Sequence, residues 1–382
     1  MNNQKIIYFD NASKTSPCLE AVNKHHEITI SNYANPSSIH ALGRRNARLL
    51  DQSKEEILSL FKLNNHQVIY LSSASEANNL AIKGYALRYK NRGNHLITSS
   101  YEHPSVLESF KQLENEFGFE VTYLTPNSNG VIEVDKVKEA LRKDTILVSI
   151  MAVNNEIGSV NPIEEIANIL KDYPKIAFHV DACQEVGKLE KEMNFKDVDF
   201  ISISAHKTYG VIGTAALIKK KNIELLPLIS GGGQESNFRS STNDLAGSIS
   251  FLEALKFSFK NRIEHYQKVR VLYERLKAYI LEKNDIYVLN SNQDINPYII
   301  NFSTKNKKSS VVVEALSNLG IMVSSISACH SSKEKGSHVL KAMGKSDEIA
   351  NNTIRVSFSY LNTLEEVDAL TKALDDIIGA IR

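Results

Sequence analysis

The chain has 382 residues, 42% hydrophobic and 23% charged, an ordinary globular composition in a chain too long for one average domain. Its 45 Lys and Arg against 44 Asp and Glu leave +1, so no overall charge excess drives binding to nucleic acid or an anionic membrane. The longest apolar stretch, Ile146 to Val153, already contains Ser149 and falls far short of the roughly 20 residues that span a bilayer.

The opening MNNQKIIYFD lacks a basic segment followed by a long apolar run, so no secretory signal is expected. Three scattered cysteines, Cys18, Cys183 and Cys329, make no disulfide framework, and a reducing cytoplasm is the expected setting. Between about residues 65 and 220, short β-prone runs alternate with helical patterns. The runs are Val68 to Leu71, His95 to Thr98, Glu120 to Tyr123, Thr145 to Ile150, Ile176 to Val180, Asp199 to Ile203 and Thr214 to Ile218. Such alternation predicts an α/β domain with a mostly parallel sheet. After Gly231 to Gly233 the pattern changes, and a long helix from about Leu245 to Lys283 is expected to lead into a second domain. Near the end, Thr363 and Glu366 form a capping-box pattern ahead of an apolar face made by Val367, Leu370, Leu374, Ile377, Ile378 and Ile381.

Four of the strands run directly into polar clusters: SSASE, NNE, DACQ and SAHK. Ligands of open α/β sheets sit beyond the carboxyl ends of the strands, so the four clusters are expected to converge. The first, Ser72 to Ser75 ahead of a helix, offers amides, hydroxyls and a helix dipole to a phosphate, though an ordinary capped helix needs the same residues. Asp181, ending an apolar strand, needs a cationic or hydrogen-bonding partner if buried. Lys207, at another strand end beside Ser204 and His206, is either a surface lysine or an amine nucleophile with lowered basicity. An anion cradle, a partner for a pyridinium nitrogen and an amine are together what pyridoxal phosphate requires.

At this point the sequence resembles the cysteine desulfurases, in the class V aminotransferase group of fold type I pyridoxal-phosphate enzymes. The resemblance runs from about Ile7 to the C-terminus and is carried by YFDNAS, YANPSSIHALGR, SSASEANNLAIKG, YEHPSV, ILVSIMAVNNEIG, HVDACQEVGK, SISAHKTYG, GGGQESNFRSST, SISACHSS and TIRVSFS. It implies a large domain with a mostly parallel seven-stranded sheet over residues 16–257, and a smaller α+β domain from residues 1–15 and 258–382.

Carried over residue by residue, the resemblance implies Lys207 as the Schiff-base lysine, Asp181 on the pyridine nitrogen, Gln184 near the phenolic oxygen and His103 stacked on the ring. It implies a phosphate held by Ala74, Ser75, Ser204 and His206, with Thr242 reaching across from a second subunit and hence a homodimer. Asn35, Asn154 and Arg355 match positions around the substrate, Asn154 also bordering the cofactor, and the Arg355 fork suits the α-carboxylate of L-cysteine. Cys329 matches the cysteine that takes the sulfur as a persulfide, with His103 moving protons. The stretch between Cys329 and Arg355 is long, as in the subgroup whose loop delivers sulfur to an acceptor protein for iron-sulfur assembly or tRNA thiolation.

Some residues differ from that pattern: Lys14 for Thr, Ala205, Ser241 and Ile326 for Gly, Gln234 for His, and His330 after the cysteine. A β-branched residue in place of Gly narrows backbone freedom, so Ile326 is expected to stiffen the sulfur-carrying loop. Cys183 reads as a packing residue beside Asp181, and His25, His26 and His40 show no metal-ligand arrangement. Other readings on the same scaffold are a selenocysteine lyase or another class V enzyme. A reading of a different class is a catalytically silent homologue that binds partners.

Overall fold

The computed structural model describes residues 6–291, 295–305, 307–325 and 336–380. Seven strands, β1 (His66–Leu71), β2 (His95–Ser99), β3 (Glu120–Leu124), β4 (Thr145–Ser149), β5 (Ala177–Asp181), β6 (Phe200–Ser204) and β7 (Ala215–Lys220), form one sheet. Their order is β1-β7-β6-β5-β4-β2-β3. The pairs β6-β5, β5-β4, β4-β2 and β2-β3 are parallel, and β7 lies antiparallel between β6 and β1.

Strands β2, β4, β5 and β6 are buried along their whole length, which is why they read as short apolar runs without alternation. Polar side chains within them are satisfied in place. His179 bonds Ser149 Oγ through Nδ1 at 2.8 Å and Ser202 Oγ through Nε2 at 3.0 Å, tying three neighbouring strands together.

A second sheet takes the strands β8 (Tyr287–Leu289), β9 (Ile299–Thr304), β10 (Ser324–Ser325) and β11 (Thr353–Ser357) in the order β10-β11-β9-β8. The helix Leu245–Glu282 serves both cores: Phe251, Leu252 and Leu255 pack into the first, and Val269, Leu272, Tyr273, Leu276 and Ile280 into the second. The last helix, Leu364–Ala380, starts with the expected capping box, Glu366 N donating to Thr363 Oγ1 and Thr363 N to Glu366 Oε2, each at 3.4 Å. At the other end of the chain, Ile7–Tyr8 pairs in parallel with Ile321–Met322, and Phe9 enters the second core. From there the chain crosses to the first sheet, where Thr15 N donates to His206 O at 3.0 Å. The two cores are joined again later in the chain, where Val339, Leu340, Met343 and Ala350 pack into the first core before Ile354 and Val356 of β11 enter the second.

Candidate active site

Beyond the carboxyl ends of β1, β4, β5 and β6 lies a cavity of about 400 Å³. All four polar clusters reach it: Ser73, Ala74 and Ser75; Asn155 and Glu156; Asp181, Cys183 and Gln184; His206 and Lys207. Ala12, Ser13, His103, Ser324 and Arg355 close its other sides.

Asp181 ends β5 with its carboxylate turned inward and almost fully buried. Two donors support it, Cys183 N to Oδ1 at 3.0 Å and Asn78 Nδ2 to Oδ2 at 2.7 Å. Lys207 follows β6 in a short 3-10 turn, and its Nζ donates to Ala12 O at 2.7 Å and Ser13 O at 2.5 Å. Burial pushes the Lys207 ammonium below its usual range, the direction an amine nucleophile needs.

At the head of β1, Ser73 caps the helix Ala74–Asn79 by accepting from Glu76 N at 3.2 Å, so the backbone of Ala74 and Ser75 opens towards the cavity. Ser204 is fully buried and stands behind His206, its Oγ 2.9 Å from His206 Nδ1. Burial, then the Lys207 charge, lowers His206 to about 4, so the ring is neutral at physiological pH.

His103 caps the helix Pro104–Phe117, accepting from Ser105 N at 3.2 Å through Nδ1, which places the ring proton of the neutral form on Nε2. Ser105 Oγ lies 2.8 Å from the same Nδ1 and accepts from Asn78 Nδ2 at 2.9 Å. One fully buried side chain, Asn78, thus connects Asp181 to His103. Behind His103, burial raises the Glu102 carboxyl to about 8, while its Oε1 accepts from Ser99 Oγ and Met151 N.

Asn154 corrects an expectation. It does not line the cavity; its Oδ1 accepts from Glu156 N at 2.9 Å and Ile157 N at 3.1 Å, and its Nδ2 donates to Tyr101 O. It is the hub of a tight turn that presents its neighbours Asn155 and Glu156 instead. Gly158 completes that turn with φ +74°, where a Cβ would meet the carbonyls of Asn296 and Ile299 at 3.0 Å.

Asn35 is also placed differently from a site within one chain: it is exposed, away from the cavity, and accepts from Ser37 N at 2.9 Å. Thr242 is likewise exposed and outside this cavity. It follows a left-handed turn at Glu235, Ser236 and Asn237 (φ 48°, 55° and 68°) that costs about 1 kcal/mol or more per residue. Glu235 offsets that cost by accepting from Tyr70 N, Lys54 Nζ and Asn243 Nδ2.

Arg355, on β11, is 7% exposed, with Nη1 donating to Asn155 O at 3.0 Å and Nη2 to Asp10 Oδ1 at 2.8 Å. Its Nε is buried without an acceptor among the described residues, an incomplete cation at the cavity wall. Cys329, Ile326 and His330 lie outside the described residues, in the segment between Ser325 and Gly336. Cys183 is 8% exposed, and burial together with Asp181 raises its thiol well above the usual range, which leaves it unreactive. No cluster of metal-ligating side chains occurs among the described residues.

Sequence reasoning missed Asn78, Ser105, Asn155 and Glu156. All four sit inside quoted motifs, but nothing local marks which of several adjacent polar residues turns inward.

The donor set fits pyridoxal phosphate: a buried carboxylate for the pyridine nitrogen, a buried amine, and open amides beside His206 for the phosphate. Residues 7–370 match the family described as aminotransferase class-V. A NifS/IcsS protein homolog of Lactobacillus delbrueckii subsp. bulgaricus is 39% identical over 374 residues, 97% of either chain. The cysteine desulfurase IscS of Dictyoglomus turgidum is 36% identical over 380 residues, covering 99% of this chain and 96% of its own. A solved NifS-like protein superimposes with a TM-score of 0.90 at 30% identity, over 98% of this chain and 100% of its own. The chain belongs to the aminotransferase class-V family of pyridoxal-phosphate-dependent enzymes.

Proposed function

We propose that this chain is a cysteine desulfurase that removes sulfur from L-cysteine, releases L-alanine and carries the sulfur as a persulfide on Cys329. The observation that carries the reading is the meeting of Lys207, Asp181, the Ser73–Ser75 turn and Arg355 around one cavity. The likeness to relatives named for this activity supports it over the full length of the chain.

Asp181, Lys207, His103, Gln184, His206, Ala74 and Ser75 would hold the cofactor, with Ser204 behind His206 orienting its ring rather than facing the cavity. Bound pyridoxal phosphate supplies an aldehyde for amines and a protonated ring that draws electrons from the substrate's α-carbon. Arg355 grips the substrate carboxylate, and Asn155 carries the role first assigned to Asn154. The Lys207 amine, its basicity lowered by burial, accepts the α-proton, and His103 exchanges protons through Nε2. The Cys329 thiolate attacks the substrate sulfur: a sulfur–sulfur bond forms, the carbon–sulfur bond breaks, and its electron pair stays on carbon, which is protonated to alanine.

The persulfide then passes to a thiol of an acceptor protein in iron-sulfur assembly or tRNA thiolation. Exposed Thr242 and Asn35 belong, on this reading, to the partner's cavity in a homodimer. A cytoplasmic setting agrees with the two free cysteines, Cys18 and Cys183, and no helix among the described residues is long and apolar enough to cross a membrane.

The test is a pair of variants. Lys207→Ala is expected to lose the visible absorbance of bound cofactor, and Cys329→Ser to keep it while losing alanine production from L-cysteine. An unchanged spectrum in the first, or undiminished turnover in the second, would refute the assignment.

A further inference from the structure

Behind the wall that carries Gln184 lies a second lysine that the reaction does not use. Lys188 is 3% exposed, and its Nζ donates to Gln184 Oε1 at 2.9 Å. The amide's other end, Nε2, donates to Ala12 O at 2.8 Å, the same carbonyl that accepts from Lys207 Nζ at 2.7 Å. The backbone is held too, Asn296 Nδ2 donating to Gln184 O at 2.8 Å and Lys188 N to Glu185 O at 2.9 Å.

Donor and acceptor chemistry fixes the amide in one orientation. Lys188 offers N–H groups, so it faces the amide oxygen; Ala12 offers only a carbonyl, so it faces the amide nitrogen. The second hydrogen on Nε2 is then left for the cavity that Gln184 lines. A donor on the amide oxygen also polarises the group and strengthens the N–H bonds at its far end.

We propose that Lys188 is a positioning residue that locks and polarises the Gln184 amide, so that its free N–H is aimed at the phenolic oxygen of the bound cofactor. This inference rests on the cofactor assignment above. Burial, then the charge of Lys207, lowers the Lys188 ammonium to about 7, and Arg355, Glu185 and Cys183 are the other charged or titratable groups that act on it. The amine remains a donor in either protonation state, so the geometry holds on both sides of that value.

The consequence is spectroscopic. A donor on the phenolic oxygen withdraws electron density that otherwise helps to retain the proton on the nitrogen joining Lys207 to the cofactor. Losing the donor therefore raises the pH at which that proton leaves. In the holoenzyme, Lys188→Met is expected to raise the midpoint of the pH-dependent change in visible absorbance by about one pH unit, a tenfold change in the proton equilibrium. Gln184→Leu should do the same, the double variant should add nothing further, and Lys188→Arg should restore the original midpoint. Should Lys188→Met fail to give a holoenzyme, Lys188→Gln, which keeps a donor without the charge, is expected to shift in the same direction by a smaller amount. An unmoved midpoint in Lys188→Met, or in Lys188→Gln where only that variant retains cofactor, or additive shifts in the double variant, would overturn the proposal. Absence of any visible absorbance from the unmodified protein with added pyridoxal phosphate would instead defeat the cofactor reading beneath it.

Discussion

Arg355 Nη2 donates to Asp10 Oδ1 at 2.8 Å, so the guanidinium that faces the cavity already holds a carboxylate of its own chain. An incoming substrate carboxylate must share the cation with Asp10. Asp10→Asn keeps an oxygen acceptor but removes the competing charge, and the KM for L-cysteine is expected to fall about fivefold, the equivalent of about 1 kcal/mol. Arg355→Lys loses the fork and should raise KM by tenfold or more. Steady-state kinetics with unchanged cofactor absorbance checks both, and a KM that rises in Asp10→Asn would show that Asp10 orients the fork rather than competing for it.

The stretch that follows the Cys329 segment is fastened to the cavity wall. Ser337 Oγ donates to Glu156 Oε2, accepts from Leu340 N at 3.1 Å as a helix cap, and is followed by His338, whose Nδ1 is 3.7 Å from Glu156 Oε1. Ser337→Ala removes both bonds and is expected to destabilise the fold by about 2 kcal/mol, with a smaller loss in Glu156→Gln, whose amide oxygen still accepts. Denaturant titration of the holoenzyme measures the difference. Equal losses in the two variants would mean that the Glu156 charge, not the bond, matters.

Burial lowers His179 from 6.5 to about 4, in a strand where both ring nitrogens meet serine hydroxyls. Between those values the unfolded chain binds the proton and the folded chain does not. The contribution is therefore complete above about 6.5 and shrinks as pH falls towards 4, by about 3 kcal/mol in all. Glu102 and Glu185, raised by burial to about 8, act in the opposite sense, since folding keeps them protonated and stability falls as pH rises above 4.5. The comparison that isolates the histidine is wild type against His179→Asn. The variant should be less stable at pH 7, and the gap should narrow as pH drops to 4; a gap independent of pH would contradict the account.

Strands β4, β5 and β6 were legible because each is buried on both faces and runs into a polar cluster, and those clusters mark the carboxyl edge where the cavity lies. Lys207 and Asp181 could be read for the same reason, as charges directly after apolar strands. Asn154 could not be separated from Asn155, because the choice depends on which side chain meets Tyr101 O and the amides of Glu156 and Ile157. Asn78 and Lys188 were hidden for a related reason: their partners, Asp181 and Ser105 for one and Gln184 for the other, become neighbours through a helix and a turn that local pattern does not orient. The role of Arg355 was suggested by motif alone, whereas its bond to Asp10 joins residues 345 positions apart.

The most direct test of the account is to incubate the purified protein with L-cysteine, pyridoxal phosphate and a thiol reductant that discharges the persulfide, and to measure alanine. Alanine in catalytic excess over enzyme, lost in Cys329→Ser, is the predicted result. Cofactor bound at Lys207 with no alanine formed from L-cysteine would contradict it.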